Sequence, residues 1–467
     1  MRKKKNIWLY LSFVLTICIA ISFFSNGLDY YWHVKIGSYI VNNLKIPYVD
    51  IFSWYGTLNN LHWISHEWLY ECLIYGFKYL FGNTGSLIYT FLVLFGISSI
   101  IYKYNKKYFE KNTFYTILLA ITGLIVLGFK LFPRPHLLSY LFFTITLYFA
   151  YDLLNNPKSK KIYFSILISI LWANFHGGSS NLSYIVYLMI LCINLFSIKY
   201  KKISNKKLNK EQILKYLYAI ITSFIGIIIN PHGFKMIIYP YINLTYKIMI
   251  ECIEEWGGIT FNGEGKIYIV LILILIFIFI KELKKKEKIS LTNLLITIIF
   301  IIMGIRSVKF FPYLYLFICF YIPKSFKKNR FYINPMIVSI VLIVANIFFI
   351  FSYKEKKLVS DEIIDYIKDN KIERLYNSYD LGGYLIYKDI KPFIDGRADM
   401  YVKSNFKDAC YIEQGRDFEL INKYDFDYFV IYKNSKLSDC LSKKDNYELV
   451  IDGKEVILVK KINKEEK

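Results

Sequence analysis

Charge is scarce in this chain. Asp, Glu, Lys and Arg make up 20% of its 467 residues, while 55% are hydrophobic. A soluble protein of this length rarely carries a run such as Tyr268–Ile280, thirteen consecutive residues with one side-chain hydroxyl as their only polar group. Apolar stretches approaching 20 residues recur, and a bilayer core about 30 Å thick needs about that length. Lipid offers the backbone no hydrogen-bond partners, so each stretch is expected to be helical. Acidic residues are the scarcer sign, 36 against 59 basic, for a net charge of +23. That excess does not point to nucleic acid: the basic residues sit in short clusters between apolar segments, the spacing of a membrane topology rather than of one binding patch. Among seven cysteines there is no C-x-x-C, which removes the usual zinc-ribbon spacings. Cys18, Cys192 and Cys319 fall within apolar spans; Cys410 and Cys440 share a polar C-terminal segment, either as a pair in an oxidising compartment or as two thiols. No A-x-A site follows Ile7–Phe24, and that run exceeds the roughly 7–15 residues of a signal-peptide core, so it reads as a first helix.

The fold class read from this pattern is an all-α polytopic membrane domain of about eleven transmembrane helices, residues 1–353, followed by a small α/β extracytoplasmic domain, residues 354–467. A large first outer loop spans 26–84. Beyond Ile7–Phe24, spans are expected at 85–101, 113–132, 137–154, 162–175, 181–198, 214–230, 266–281, 289–306, 308–323 and 331–352. The start Met1-Arg2-Lys3-Lys4-Lys5 places the N-terminus in the cytoplasm. The alternating inner loops 102–112, 155–161, 199–213, 281–288 and 324–330 then hold the lysine clusters, as the positive-inside rule requires. The 64–81 segment is apolar but carries Glu67, Glu71 and Lys78, and counting it as a span would invert every later loop. It is expected to lie as an amphipathic helix at the outer surface. In the C-terminal domain a helix is expected at Asp361–Lys371, strands at Arg374–Asn377, Tyr384–Tyr387, Pro392–Ile394 and Tyr428–Tyr432, and a hairpin of Glu448–Ile451 and Glu455–Lys460 around Asp452-Gly453.

On this topology all six histidines, His33, His62, His66, His136, His176 and His232, lie in outer loops or at outer helix ends. The first outer loop is the richest segment. Asp29 follows the first span directly, where a partly desolvated carboxylate suits general-base work, and His33 lies four residues on, one helical turn away. His62 and His66 with Glu67 could share zinc, but no H-E-x-x-H is completed. Arg134, Arg306 and Lys309 sit in later outer turns and suit the phosphate of an anionic lipid, Arg because it donates two parallel hydrogen bonds. The plain alternatives are an interfacial belt of Trp and Tyr and basic residues snorkelling to bulk phospholipid.

In order along the chain come Asp29 with Trp32-His33, Pro47 to Ser53 with Asp50, His66-Glu67-Trp68-Leu69, Arg134-Pro135-His136, Asn174 to Gly178, Gly382-Gly383-Tyr384-Leu385 and Asp395-Gly396-Arg397. This series resembles poorly characterised bacterial members of the GT-C superfamily of membrane glycosyltransferases, which includes protein O-mannosyltransferases, the lipid A aminoarabinose transferase and the catalytic subunit of oligosaccharyltransferase. The resemblance implies transfer of a sugar from a polyprenyl-phosphate carrier to a glycan, lipid or protein acceptor on the non-cytoplasmic face. Asp29 would be the general base, with His33 and Glu67 beside it in catalysis. His66, Arg134, His136, Asn174, His176, His232, Arg306, Lys309, Asp395 and Arg397 would bind substrate. No cofactor is expected, with a divalent metal left open; membrane lipids are partners and nucleic acid is not. Two departures stand out: Asp29 is followed by Tyr30 and Tyr31 rather than a second acid, leaving Asp50 or Glu67 for that part, and Ser378 to Tyr384 only faintly echoes the W-W-D-Y-G motif of oligosaccharyltransferase. The other readings are an O-antigen polymerase or ligase, a transporter or flippase for envelope glycan precursors, and a non-catalytic scaffold. Against a transporter, the span interiors are nearly free of charge and show no internal repeat.

Overall fold

The computed structural model describes residues 27–109, 132–259, 269–270, 272–273, 276, 289–320, 344 and 357–462. The expected spans at 7–24, 113–132 and 331–352, the inner loops at 281–288 and 324–330, and Cys18 lie outside the described residues apart from single positions; the span at 266–281 is described only at scattered ones. The chain divides into two compact units. The first takes in Ser86–Leu244 and Ile253–Tyr353, the second Ser25–Gly85, Thr245–Cys252 and Lys354–Lys467.

The first unit is mostly helical. Its helices include Pro135–Asn155, Ser165–His176, Leu182–Asn194, Lys210–Ile228, Leu291–Arg306 and Phe311–Ile318. Their starts follow local chemistry. Pro135 opens its helix behind an extended Arg134, where a missing N–H costs nothing. Asn209 and Gln212 exchange side-chain bonds with each other's backbone N–H as a capping box for Lys210–Ile228, and Ser290 accepts from the Asn293 N–H ahead of Leu291–Arg306. Pro312 sits in the first turn of Phe311–Ile318 rather than in a helix interior, so the short 308–323 segment starts there without losing a hydrogen bond. Lys210–Ile228 packs on Ser165–His176 and Leu182–Asn194, and Pro135–Asn155 packs on those two and on Phe311–Ile318. Phe143, Phe300, Tyr313 and Phe317 meet in this core. The fully buried Asp152 accepts from Lys107 at 2.6 Å, Tyr108 at 2.7 Å, Ser159 at 2.6 Å and Lys161 at 2.7 Å, which offsets the cost of burying its charge. A small sheet joins β1 (Lys199–Tyr200), β2 (Ile203–Ser204) and β3 (Ile289–Ser290).

Among the described residues three helical stretches are long and apolar enough to cross a bilayer by length and composition: Trp68–Tyr108, Pro135–Asn155 and Lys210–Ile228. The first of these takes in the Trp68–Phe81 helix, a 3-10 turn at Gly82–Thr84 and all but the last residue of the Gly85–Phe109 helix.

The second unit brings the first-loop helices to a mixed sheet of order β4-β5-β7-β6, with β4 (Leu375–Asn377), β5 (Tyr428–Tyr432), β6 (Tyr447–Asp452) and β7 (Val456–Lys461). β4 and β5 run parallel; the other pairs are antiparallel. The Asp452-Gly453 turn joins β6 to β7 in the expected hairpin, and Ser360 caps the expected helix, Asp361–Asp369. Two expected strands are absent. Tyr384–Tyr387 lies in a helix, Gly382–Tyr387, which packs on Tyr30–Asn43. A four-residue apolar run has no period that separates strand from helix, and tertiary packing decides it. Pro392–Ile394 runs beside β4 but pairs with a side chain: the Phe393 N–H donates to Asn377 Oδ1 at 2.8 Å, and Asn377 Nδ2 donates to the Ile394 carbonyl at 2.8 Å. Cys410 does not pair with Cys440. It is bonded to Cys252, brought into this unit by Thr245–Cys252, and Cys440 is a free thiol.

Candidate functional site

In the second unit Asp29 stands at the head of Tyr30–Asn43 without capping the helix by its side chain. Its Oδ1 accepts from the Trp32 indole N–H at 3.2 Å. The Trp32 ring lies tilted against His33, with ring centres 3.5 Å apart. The indole therefore touches both residues that helical spacing had placed together.

His33 is 2% exposed and faces the Trp68–Phe81 side: its Nε2 lies 3.8 Å from Glu67 Oε2 and its Nδ1 3.7 Å from Glu71 Oε1. Ser65 donates to Glu71 at 3.3 Å. Glu71 is fully buried, on a helix that the sequence reading had laid at the outer membrane surface. The signal was available: Glu67 and Glu71 are one turn apart on a helix whose buried positions are Tyr70, Glu71 and Ile74. His66 Nε2 lies 3.3 Å from Glu67 Oε1. Burial opposes protonation of His66, but the Glu67 carboxylate, with Asp399 and the Ile64 carbonyl, outweighs it and lifts its pKa to about 9. His62 is exposed on an extended segment bridged to Val49, so it shares no helix face with His66 and the His62–His66 zinc pair is not formed. Donors suited to a divalent cation are nevertheless present. The His66 imidazole and Glu67 carboxylate adjoin one another.

Asp50, Asp395 and Arg397 form a buried tie. Arg397 Nη1 donates to Asp50 at 2.8 Å, its Nη2 and Nε donate to Asp395 at 2.7 and 2.8 Å, and Tyr401 donates to Asp395 at 2.5 Å. The guanidinium also lies over Trp63 at 4.9 Å and Phe52 at 5.5 Å. Asp50 further accepts from Ser53 and from the Phe52 N–H. None of the three exceeds 2% exposure. The geometry is that of a fully satisfied link between the first loop and the C-terminal segment.

In the first unit His136 and His176 lie ring against ring, 4.3 Å between centres. Ser139 Oγ is 2.5 Å and Ser179 Oγ 3.1 Å from His176 Nδ1, and the Trp172 indole donates to Ser139 at 2.8 Å. Sequence reasoning passed over both serines, although each follows a singled-out histidine by three residues. Arg134 Nη1 meets Glu255 at 3.4 Å, and Lys309 Nζ sits 3.2 Å above the Trp256 ring, so two of the three expected phosphate cations adjoin consecutive residues of one turn. Arg306 is exposed. Asn174 donates to the carbonyls of Ile170 and Ile229, both at 2.8 Å, and the His232 N–H donates to Asn230 at 2.7 Å; these are contacts that shape the chain.

No family model and no curated protein matches the chain. Solved structures do. The chain is similar to the apo oligosaccharyltransferase of Archaeoglobus fulgidus, at 12% identity, TM-score 0.47, over 92% of this chain and 69% of that one. It is similar to the oligosaccharyltransferase AglB of Archaeoglobus fulgidus in complex with an inhibitory peptide and a dolichol-phosphate, at 10% identity, TM-score 0.45, over 90% and 69%. It is also similar to ArnT from Cupriavidus metallidurans bound to undecaprenyl phosphate, at 10% identity, TM-score 0.28, over 96% and 97%.

Proposed function

We propose that the chain is a membrane glycosyltransferase that moves a sugar from a polyprenyl-phosphate carrier to an acceptor on the non-cytoplasmic face, with Asp29 as general base. The observation that carries this reading is Asp29 itself: a carboxylate at a helix head, half-buried, bonded by the Trp32 indole, with the carboxylate-flanked His33 on the same helix. In the transfer Asp29 takes the proton of an acceptor hydroxyl as that oxygen attacks the anomeric carbon. The bond from that carbon to the carrier phosphate breaks, and the lipid phosphate leaves with the electron pair. The transition state has oxocarbenium character, so cationic groups that offset the leaving phosphate lower the barrier. Arg134, Lys309 and Arg306 are proposed for that part, His136, His176, Asn174 and His232 for binding beside them, and Asp395 with Arg397 for holding the first loop that carries Asp29. His66 and Glu67 would hold a divalent cation, which would add positive charge against phosphate. The Cys252–Cys410 bond supports placing the second unit on the oxidising side.

The test is sugar transfer in proteoliposomes from a panel of polyprenyl-phosphate mannose, glucose and arabinose, with membrane extract as acceptor. Loss of transfer in Asp29→Asn at equal folded yield is expected. Wild-type transfer in that variant removes Asp29 from the mechanism. Donor moving across the bilayer without transfer gives the protein to the transporter class.

A further inference from the structure

We infer that three motif fragments with no assigned part, Trp32 of W-H, Gly383 of G-G-Y-L and Gly396 of D-G-R, form a seat that fixes the position of the Asp29 carboxylate. The inference rests on reading Asp29 as the base. All four residues belong to the second unit. The Trp32 indole N–H can only donate, and it donates to Asp29 Oδ1 at 3.2 Å. Its ring is held from two sides. The His33 ring lies tilted against it, centres 3.5 Å apart, and Gly383 lies so close that a Cβ there would stand 2.8 Å from Trp32 Cδ1 and 3.0 Å from the Leu28 carbonyl. Gly396 closes the seat: a Cβ on it would collide with Asp29 Oδ1 and stand 2.8 Å from Trp32 Nε1. The residues on either side of Gly396 are Asp395 and Arg397, whose buried link to Asp50 and Tyr401 keeps that backbone in place.

The order of the motifs along the chain thereby acquires a physical reason. Two glycines more than 350 residues from Asp29 in sequence are needed because the backbone itself is the wall of the seat. A general base must be held to within roughly 0.5 Å and 10–20° of its working geometry, and a loop-borne carboxylate at a helix head has too much freedom without such support. Trp32, Gly383 and Gly396 are positioning residues; none of them takes the proton.

The experiment uses the full chain in lipid nanodiscs, labelled with nitrogen-15 tryptophan. The Trp32 indole resonance is assigned by its loss in Trp32→Phe. In Asp29→Asn, without any substrate, that indole N–H should shift upfield as its charged acceptor becomes neutral, and in Gly396→Ala it should move as the carboxylate is displaced. An unmoved resonance in both overturns the seat whether or not transfer is ever detected. With the donor that supports transfer in the polyprenyl-phosphate panel, Trp32→Phe and Gly396→Ala should lower kcat by about tenfold or more, the scale of losing one hydrogen bond to a charged group, with KM within about twofold. Wild-type kcat in both variants, or a loss confined to KM, overturns the inference. Asp29→Asn retaining transfer would instead sink the base assignment and leave the resonance result standing.

Discussion

At the scale of single residues, the buried charges divide by what surrounds them. Arg397 holds two carboxylates and lies over two aromatic rings, and it is buried together with both of them. Removing one member strands the others, at a cost of about 3–5 kcal/mol. Arg397→Ala should therefore lower the thermal midpoint sharply, and Arg397→Lys should fail to restore it, since an ammonium cannot make the two-pronged contact with Asp395. A variant within about 1 kcal/mol of wild type would show that the tie is dispensable. Glu413 is a different case. Burial raises its carboxyl pKa, against the hydrogen bonds from Ser378 and Tyr376 that favour the charged form, with Asp380 adding to the rise. A raised folded-state value means that the fold prefers the protonated acid. Its contribution is full below the unfolded value of about 4.3 and is lost as pH rises through the folded one. Amide exchange around the Phe406–Glu413 helix should accordingly quicken with pH over that window beyond the intrinsic chemical rate, and Glu413→Gln, always neutral, should lack the excess.

At the scale of elements, legibility followed local chemistry. The β6–β7 hairpin was readable because Asp-Gly specifies its own turn, and the Lys210–Ile228 helix because of the apolar run expected at 214–230, whose cap the structure adds. The Gly382–Tyr387 helix and the amide-paired Pro392–Ile394 were not, since what shapes them is a neighbour distant in sequence. The same holds for the candidate site. Asp29 and His33 could be named from their spacing, whereas buried Glu71, the Trp32 bond and the tie of Asp50 to Arg397 depend on which face each element turns inward. The disulfide is the sharpest example, for cysteine spacing carries no distance. It joins the Lys247–Cys252 helix to the Phe406–Glu413 helix across 158 residues. Closing so long a loop contributes on the order of 4–5 kcal/mol in the chain-entropy picture. Denatured protein should therefore show two cysteines that resist maleimide until reductant is added. Cys252→Ser and Cys410→Ser should lower stability equally, and Cys440→Ser should remove one freely alkylated thiol while leaving the two protected cysteines protected and stability near wild type. Equal protection of Cys440 would restore the pairing with Cys410.

At the scale of the whole molecule, the proposed transfer needs the second unit outside and the lysine clusters inside, and one pair of turns decides it. Lys201 lies in the exposed β1–β2 turn and Lys454 in the exposed β6–β7 turn. Between them the sequence pattern expects spans at 214–230, 266–281, 289–306, 308–323 and 331–352. On that expectation the number is odd, and it predicts that the two turns face opposite sides of the membrane with the basic loop around Lys201 on the cytoplasmic one. Single cysteines replacing Lys201 or Lys454, with Cys18, Cys72, Cys192, Cys319 and Cys440 changed to Ser, turn this into a measurement. A membrane-impermeant maleimide should label the Lys454→Cys protein in intact cells and the Lys201→Cys protein only after permeabilisation. Labelling of both from outside would mean that one expected span does not cross. The reverse pattern would put Asp29 and the C-terminal segment in the cytoplasm, where a carrier-linked sugar presented at the outer leaflet could not reach them.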